Sequence, residues 1–142
     1  MSADVKRGDK LNYFIIRHKL PSLNEYVCAC RNNKYCGAKF KKDIEFKIEL
    51  EILKHLNLGN LHKIDFLCEL FIEYHMKDKR MDIDNIQSSQ KFILDAMKNK
   101  KIIIDDSRKY IKNIYHKVID DKDNFVIVYI LKPDEIILKQ RS

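Results

Sequence analysis

Glycine and proline are scarce in this chain, with three of the first and two of the second among 142 residues. A sequence so short of breakers should be rich in regular structure, with short connections. Long apolar runs are missing as well. The longest, residues 125–131, has seven residues, far below the roughly 20 that a membrane-spanning helix needs. Asp4, Lys6, Arg7, Asp9 and Lys10 precede any hydrophobic stretch, which does not read as a signal peptide. Repeats, low-complexity segments and linkers are also lacking. These absences point to a soluble, cytoplasmic protein that does not engage the membrane. They fit one compact domain over residues 1–142, with residues 1–10 as a flexible N-terminus.

Metal-ligand spacing of the thiol and imidazole kind is absent too. Cys28, Cys30 and Cys36 follow a C-x-C-x5-C pattern that is not a standard zinc motif, and Cys68 stands apart. The thiols read as reduced and structurally incidental. His18, His55, His62, His75 and His116 are scattered and receive no role.

What the chain does have is charge. Lysine and arginine number 28 against 21 acidic side chains, giving +7 at neutral pH and a pI near 9.2. That balance favours a polyanionic partner, since neutralising phosphates releases condensed counterions. A small RNA-binding or ribosome-associated domain would satisfy the charge equally well.

The patterning predicts an α+β fold, a mixed β-sheet with two main helices. Residues 11–18 suit a first strand, ended by Pro21 and Ser22. Residues 23–42 mix tyrosines, cysteines and bases. A helix is expected over 39–56, where Ile44, Ile48, Ile52 and Leu56 recur every four residues. Asn57, Gly59 and Asn60 stop it. Residues 64–76 alternate as a long strand, with Ile64, Phe66, Cys68, Leu70, Ile72 and Tyr74 on the buried face. Asp65, Glu69, Glu73 and His75 fall on the other, which Leu67 and Phe71 show to be partly covered. A helix over 84–98 follows, then a brief β-branched run at 102–104. Residues 110–119 and 125–131 read as a β-hairpin turning at 120–124. That acidic turn lacks the glycine and distal glutamate of a calcium loop, so it is taken as plain and solvated.

The informative feature is acidic. Asp82 and Asp84, one residue apart, point the same way if the strand end is extended, and Asp105–Asp106 closes another apolar run. Asp84 is well placed as an N-cap, which explains one carboxylate but not the others. At 100° per residue from Asp84, Ser88, Lys91 and Asp95 return to nearly the same azimuth, and Ile86, Ile93 and Met97 oppose it. Lys91 then sits roughly 10 Å along the axis, leaning back toward the aspartates. Clustered carboxylates need a compensating charge. Mg²⁺ supplies it through oxygen ligands, activates water and stabilises charge on a phosphodiester. The plainer reading makes these aspartates turn and cap residues, with Lys91 paired to Asp95.

Arg80-x-Asp82-x-Asp84-Asn85, Phe92-Ile93-Leu94-Asp95-Ala96 and Asp105-Asp106 together resemble the signature of RusA-like Holliday junction resolvases. Leu23-Asn24-Glu25-Tyr26 and Gly37-Ala38-Lys39-x-Lys41-Lys42 resemble the N-terminal loop of a phage-borne branch of that family, so the likeness covers about residues 21–106. It implies a homodimeric endodeoxyribonuclease, dependent on Mg²⁺ with Mn²⁺ as a substitute, that cuts four-way DNA junctions symmetrically. It also implies service in DNA recombination or repair, in the cytoplasm of a bacterial cell carrying a phage or prophage. On this likeness Asp82, Asp84 and Asp106 are the catalytic metal-binding carboxylates, Asp105 is an auxiliary ligand, and Lys91 is the essential lysine. The interval from Asn85 to Asp95 is longer than in compact members by nearly one helical turn. Aligned from the front, the lysine's place falls on Ser88 instead.

DNA contacts are expected from Asn24, Tyr26, Arg31, Lys34, Tyr35, Lys39, Lys41, Lys42, Arg80 and Arg108, with Lys109 and Lys112 as further bases. Tyr26 and Tyr35 either stack on exposed bases or anchor the loop to the core. The alternative to a nuclease is a non-cleaving protein that binds branched DNA, or regulates, on the same fold. An approximately two-fold junction calls for two symmetry-related sites, and a domain this small holds one, so a C2 dimer is expected.

Overall fold

Residues 11–133 are described by the computed structural model; the expected flexible N-terminus, residues 1–10, lies outside them. Four strands and four helical segments follow in the order β1 (Tyr13–Ile16), α1 (Leu23–Asn32), α2 (Lys34–Leu58), β2 (Cys68–Met76), α3 (Ile83–Gln87), α4 (Gln90–Asn99), β3 (Ile111–Asp120) and β4 (Phe125–Leu131). The strands form one mixed sheet in the order β1-β4-β2-β3. β4 runs antiparallel to both its neighbours, and β2 and β3 are parallel. The α+β class and the mixed sheet are those the patterning predicts. The two expected helices are α2 and the α3–α4 pair; α1 is additional. No helix among the described residues is long and apolar enough to cross a membrane.

The segment 23–42 corrects the sequence reading, because it is helical rather than a loop. Ser22 caps α1 by accepting from the Glu25 amide at 3.1 Å. Asn33, in extended backbone, ends α1 and caps α2 through its Oδ1 and the Cys36 amide at 2.7 Å. The periodicity stays hidden because α1 fully buries none of its side chains. α2 therefore starts earlier than Lys39, and it stops at Gly59, whose φ of 83° is left-handed.

β2 is shorter than expected. Ile64 to Leu67 lie outside it, and Phe66 is half exposed. Its two faces are both covered. Leu70, Ile72 and Tyr74 join Phe14, Val128, Ile48, Ile52, Phe92 and Met97 in the core beneath α2 and α4. The opposite face carries Phe71 with Ile127, Tyr129 and Leu131. The second face, read from the sequence as partly covered, buries Glu69 and Glu73. They survive there because Asn113 Nδ2 donates to Glu69 at 2.8 Å and His75 Nε2 contacts Glu73 at 2.7 Å.

The predicted hairpin does not form. β3 and β4 are joined by residues 121–124, yet β2 lies between them and pairs with both. The connection crosses the end of β2, where the Asp121 amide donates to the Met76 carbonyl at 3.0 Å. Splitting the two strands fills both edges of β2, which a hairpin would leave half paired. The run 102–104 is no strand either. Ile102 and Ile103 are buried, and the Ile102 carbonyl accepts from the Ile64 amide.

Helices α1 and α2 meet closely at Gly37. A Cβ there would lie 2.8 Å from Cys30 Sγ and 3.2 Å from Cys30 Cα. Overpacking costs about 1–3 kcal/mol, against roughly 1 kcal/mol of helix propensity gained from alanine. Gly37→Ala should therefore lower the unfolding free energy by about 1 kcal/mol in urea, and Cys30→Ala in the same chain should restore at least half of it. An unchanged midpoint would mean that α1 shifts away without cost.

Candidate active site

The chain leaving β2 carries the first acidic group. Asp78 Oδ1 accepts from the Arg80 amide at 2.9 Å and the Arg80 guanidinium at 3.4 Å. The backbone bond, then the side chain, holds the Asp78 carboxyl below its usual range. Asp82 occupies the N-cap position of α3 in extended backbone, but its side chain makes no cap hydrogen bond. Asp84 is not the cap that the sequence suggests. It lies inside the first turn of α3 and accepts from the Asn85 amide at 3.0 Å. Both carboxylates are exposed, and Asp82 is left uncommitted. Extended backbone at one and helical backbone at the other replaces the expected same-side pair of a strand end.

The helix expected over 84–98 is interrupted at Ser88 and Ser89. Their hydroxyls donate to the carbonyls of Asn85 and Ile86 at 2.8 and 3.0 Å, competing with the helical ladder. The azimuth argument linking Asp84 to Lys91 therefore fails, since it needs an unbroken helix. α4 nonetheless delivers Lys91 to an open depression of about 410 Å³, where Gln87, Ser88, Asp95 and Asp106 also contribute to the wall. Ser88, the other place for the lysine, has its hydroxyl bound to Asn85. Lys91 makes no ion pair among the described residues, so the expected Lys91–Asp95 alternative is absent there.

Asp95 instead anchors a charge chain. Lys41 Nζ lies 3.0 Å from Asp95 and 3.6 Å from Glu45, while Lys98 Nζ lies 3.5 Å from Asp95 and 3.3 Å from Asp106. The hydrogen bond to Asp95 raises the Lys41 pKa above its ordinary value. Burial pushes the Glu45 carboxyl up, and Asn99 donates to it at 3.3 Å. Sequence reasoning missed Lys98 as a partner of Asp106. Its i,i+3 spacing from Asp95 was the available signal. Asp105 is half-buried, and the Asp106 backbone amide holds its carboxyl below the usual range.

Four carboxylates on two segments match a hard divalent cation in donor type. They do not converge: among the described residues no three His, Cys, Asp or Glu side chains gather as metal ligands would. Asp106 faces Lys98 instead. Of the candidate DNA contacts, Asn24, Arg31, Lys34, Tyr35, Lys39, Lys42, Arg80 and Arg108 are exposed. Three are otherwise engaged, Arg80 through its pair with Asp78. Tyr26 packs against Phe40 and edge-on against Phe92, with ring centroids at 6.0 and 5.3 Å, and Lys41 is held by Asp95. Tyr26 and Lys41 serve to join α1 and α2 to α4. Burial raises the thiol of Cys68 to about 11, whereas Cys28 and Cys30 are exposed on α1.

Asp95→Ala removes the carboxylate shared by Lys41 and Lys98. Partial exposure screens the pairs, so the expected loss in urea unfolding is about 1–2 kcal/mol. A loss below about 0.5 kcal/mol would mean that solvent already satisfies both lysines.

No curated protein matches the chain in sequence. A family model described as endodeoxyribonuclease RusA does match, over residues 4–130. That span takes in the strands and helices of the core together with Asp82, Asp84, Lys91, Asp95 and Asp106, and the chain belongs to the RusA endodeoxyribonuclease family.

Proposed function

We propose that this protein is a Mg²⁺-dependent nuclease that resolves four-way DNA junctions by symmetric phosphodiester hydrolysis, acting as a homodimer. One observation carries the reading within the family. Lys91 and Asp106, fifteen positions apart in the chain, line one open depression on the α4 side of the sheet, and Asp82 stands uncommitted at the start of α3, one residue before Ile83 and two before Asp84. Such a depression admits a phosphodiester, and acid and base there come from separate elements.

On this reading Asp82, Asp84 and Asp106 would hold Mg²⁺ or Mn²⁺, with Asp105 as auxiliary. The bound ion would activate water and offset charge on the scissile phosphate. Lys91 has no ion-pair partner among the described residues, so its ammonium is free to meet a phosphate oxygen and favour the more highly charged transition state. Lys98 acts as the countercharge of Asp106 until the ion arrives. Two-fold related cuts follow from two copies of a one-site domain. The setting would be DNA recombination or repair in the cytoplasm of a bacterial cell, with a phage or prophage as carrier.

The carboxylates that do not converge favour a second reading, a protein that grips branched DNA without cutting it. The deciding experiment uses an end-labelled synthetic four-way junction with Mg²⁺ or EDTA, comparing the wild type with Asp82→Asn. Paired symmetric nicks that need metal, reduced by about 100-fold or more in the variant, are the expected result. Binding without cleavage in Mg²⁺ and Mn²⁺ would establish the second reading instead. Metal binding can be followed separately by Mn²⁺ titration without DNA. Asp106→Asn should weaken binding by at least about 10-fold, and Lys98→Met should strengthen it several-fold by removing a competing cation. Weaker binding in Lys98→Met would instead make Lys98 a support for the ligand.

A further inference from the structure

The sheet topology builds a second charged surface where β1 and β2 end. β1 and β2 both run antiparallel to the β4 strand between them, so their C-terminal ends emerge at the same sheet edge. Arg17 follows β1 directly, and Lys77 follows β2 directly. Together with Lys19 they line an open depression of about 460 Å³, whose remaining wall is Asp123, Asn124 and Phe125. Three bases thus face one acid. The nearby acids are engaged elsewhere: Asp78 with Arg80, and Asp121 with His75 at 2.8 Å.

The frame of this cleft is fixed while its charged ends are free. The Arg17 amide donates to Glu51 Oε2 at 2.9 Å, and the Lys77 amide donates to Asn124 Oδ1 at 2.8 Å. Phe125 stacks on His75 with ring centroids 4.1 Å apart. None of the three basic side chains has an ion pair among the described residues. Lys19 acts on Asp78 through space without touching it. The cleft also adjoins the acidic segment, since Lys19 shares a crevice with Met81 and Ile86, which bracket Asp82 and Asp84 in sequence.

We infer that Arg17, Lys19 and Lys77 form a phosphate-binding cleft that holds the sugar–phosphate backbone of the DNA substrate beside Asp82. The inference rests on the nuclease reading above and names a binding surface for it. Three bases of one sign around an open, rigid-walled depression suit a chain of phosphates. Phosphate contacts fix register without reading sequence. A strand in this cleft runs toward the start of α3, so the cleft sets which phosphodiester reaches the carboxylates.

The test is fluorescence anisotropy of a labelled four-way junction in EDTA, repeated over a range of salt concentrations. The variant is the triple Arg17→Ala/Lys19→Ala/Lys77→Ala, whose changes all lie on the surface. It is compared with the triple Lys63→Ala/Lys101→Ala/Lys132→Ala, which removes the same charge from exposed positions outside the cleft. The cleft variant should bind at least about 10-fold more weakly, with a log–log salt slope shallower by about 2–3. It should keep the wild-type Mn²⁺ affinity and circular dichroism. Unchanged affinity and slope in the cleft variant, or an equal loss in both triples, would overturn the inference while leaving the nuclease reading intact. Wild-type protein that fails to bind the junction at low salt would overturn both.

Discussion

Strand β2 has apolar side chains on both faces and open hydrogen-bonding groups on both edges, and satisfying all four directions organises the molecule. Its edges are filled by β4 and β3, so the two last strands must part and their connection must cross the end of β2. One face is sealed by α2 and α4, the other by Phe71, Ile127, Tyr129 and Leu131. Complete coverage leaves Glu69 and Glu73 in the interior, where an unpaired carboxylate costs several kcal/mol. Asn113 and His75 offset that cost. Because β2 is fixed so firmly, the chain that leaves it at Met76 has a defined starting point, and Asp82 is placed from there.

Charge pairs supplement packing at the candidate site, where α4 buries Phe92, Ile93 and Met97 in the core. A chain of alternating charge runs from Glu45 through Lys41, Asp95 and Lys98 to Asp106. It ties α2 to α4 and then to the segment before β3. Alternation matters because like carboxylates repel strongly once partly desolvated. Asp106 accordingly rests against Lys98 rather than beside Asp82 and Asp84. Lys41 and Tyr26, read from sequence as surface groups, are drawn into this scaffold, one by charge and the other by contact with Phe40 and Phe92.

Much of the architecture was legible where periodicity is strong. Ile44, Ile48 and Ile52 gave the axis of α2, and the alternating apolar positions of β2 gave its buried face. Gly59 marked the end of α2 because its backbone is left-handed. The misses have physical causes. α1 buries no side chain completely, so no apolar stripe betrays it. Ser88 and Ser89 break a helix through hydrogen bonds that a hydrophobic pattern does not register. A hairpin and a split pair have the same local sequence, because strand propensity says nothing about which edge a strand will join.

The sequence by itself determined the inventory of the candidate site: the aspartates at 82, 84, 105 and 106, the lysine at 91 and the excess of positive charge, and with them the family. These are set by residue identity and spacing along the chain. Tertiary structure alone decided which of these groups meet. It brought Lys91 to the depression of Asp106 across a broken helix, gave Asp95 to Lys41 and Lys98, and gathered Arg17, Lys19 and Lys77 at one edge of the sheet. Those encounters depend on the order and direction of strands. That order is chosen by the need to bury β2 on every side, and no local pattern encodes it.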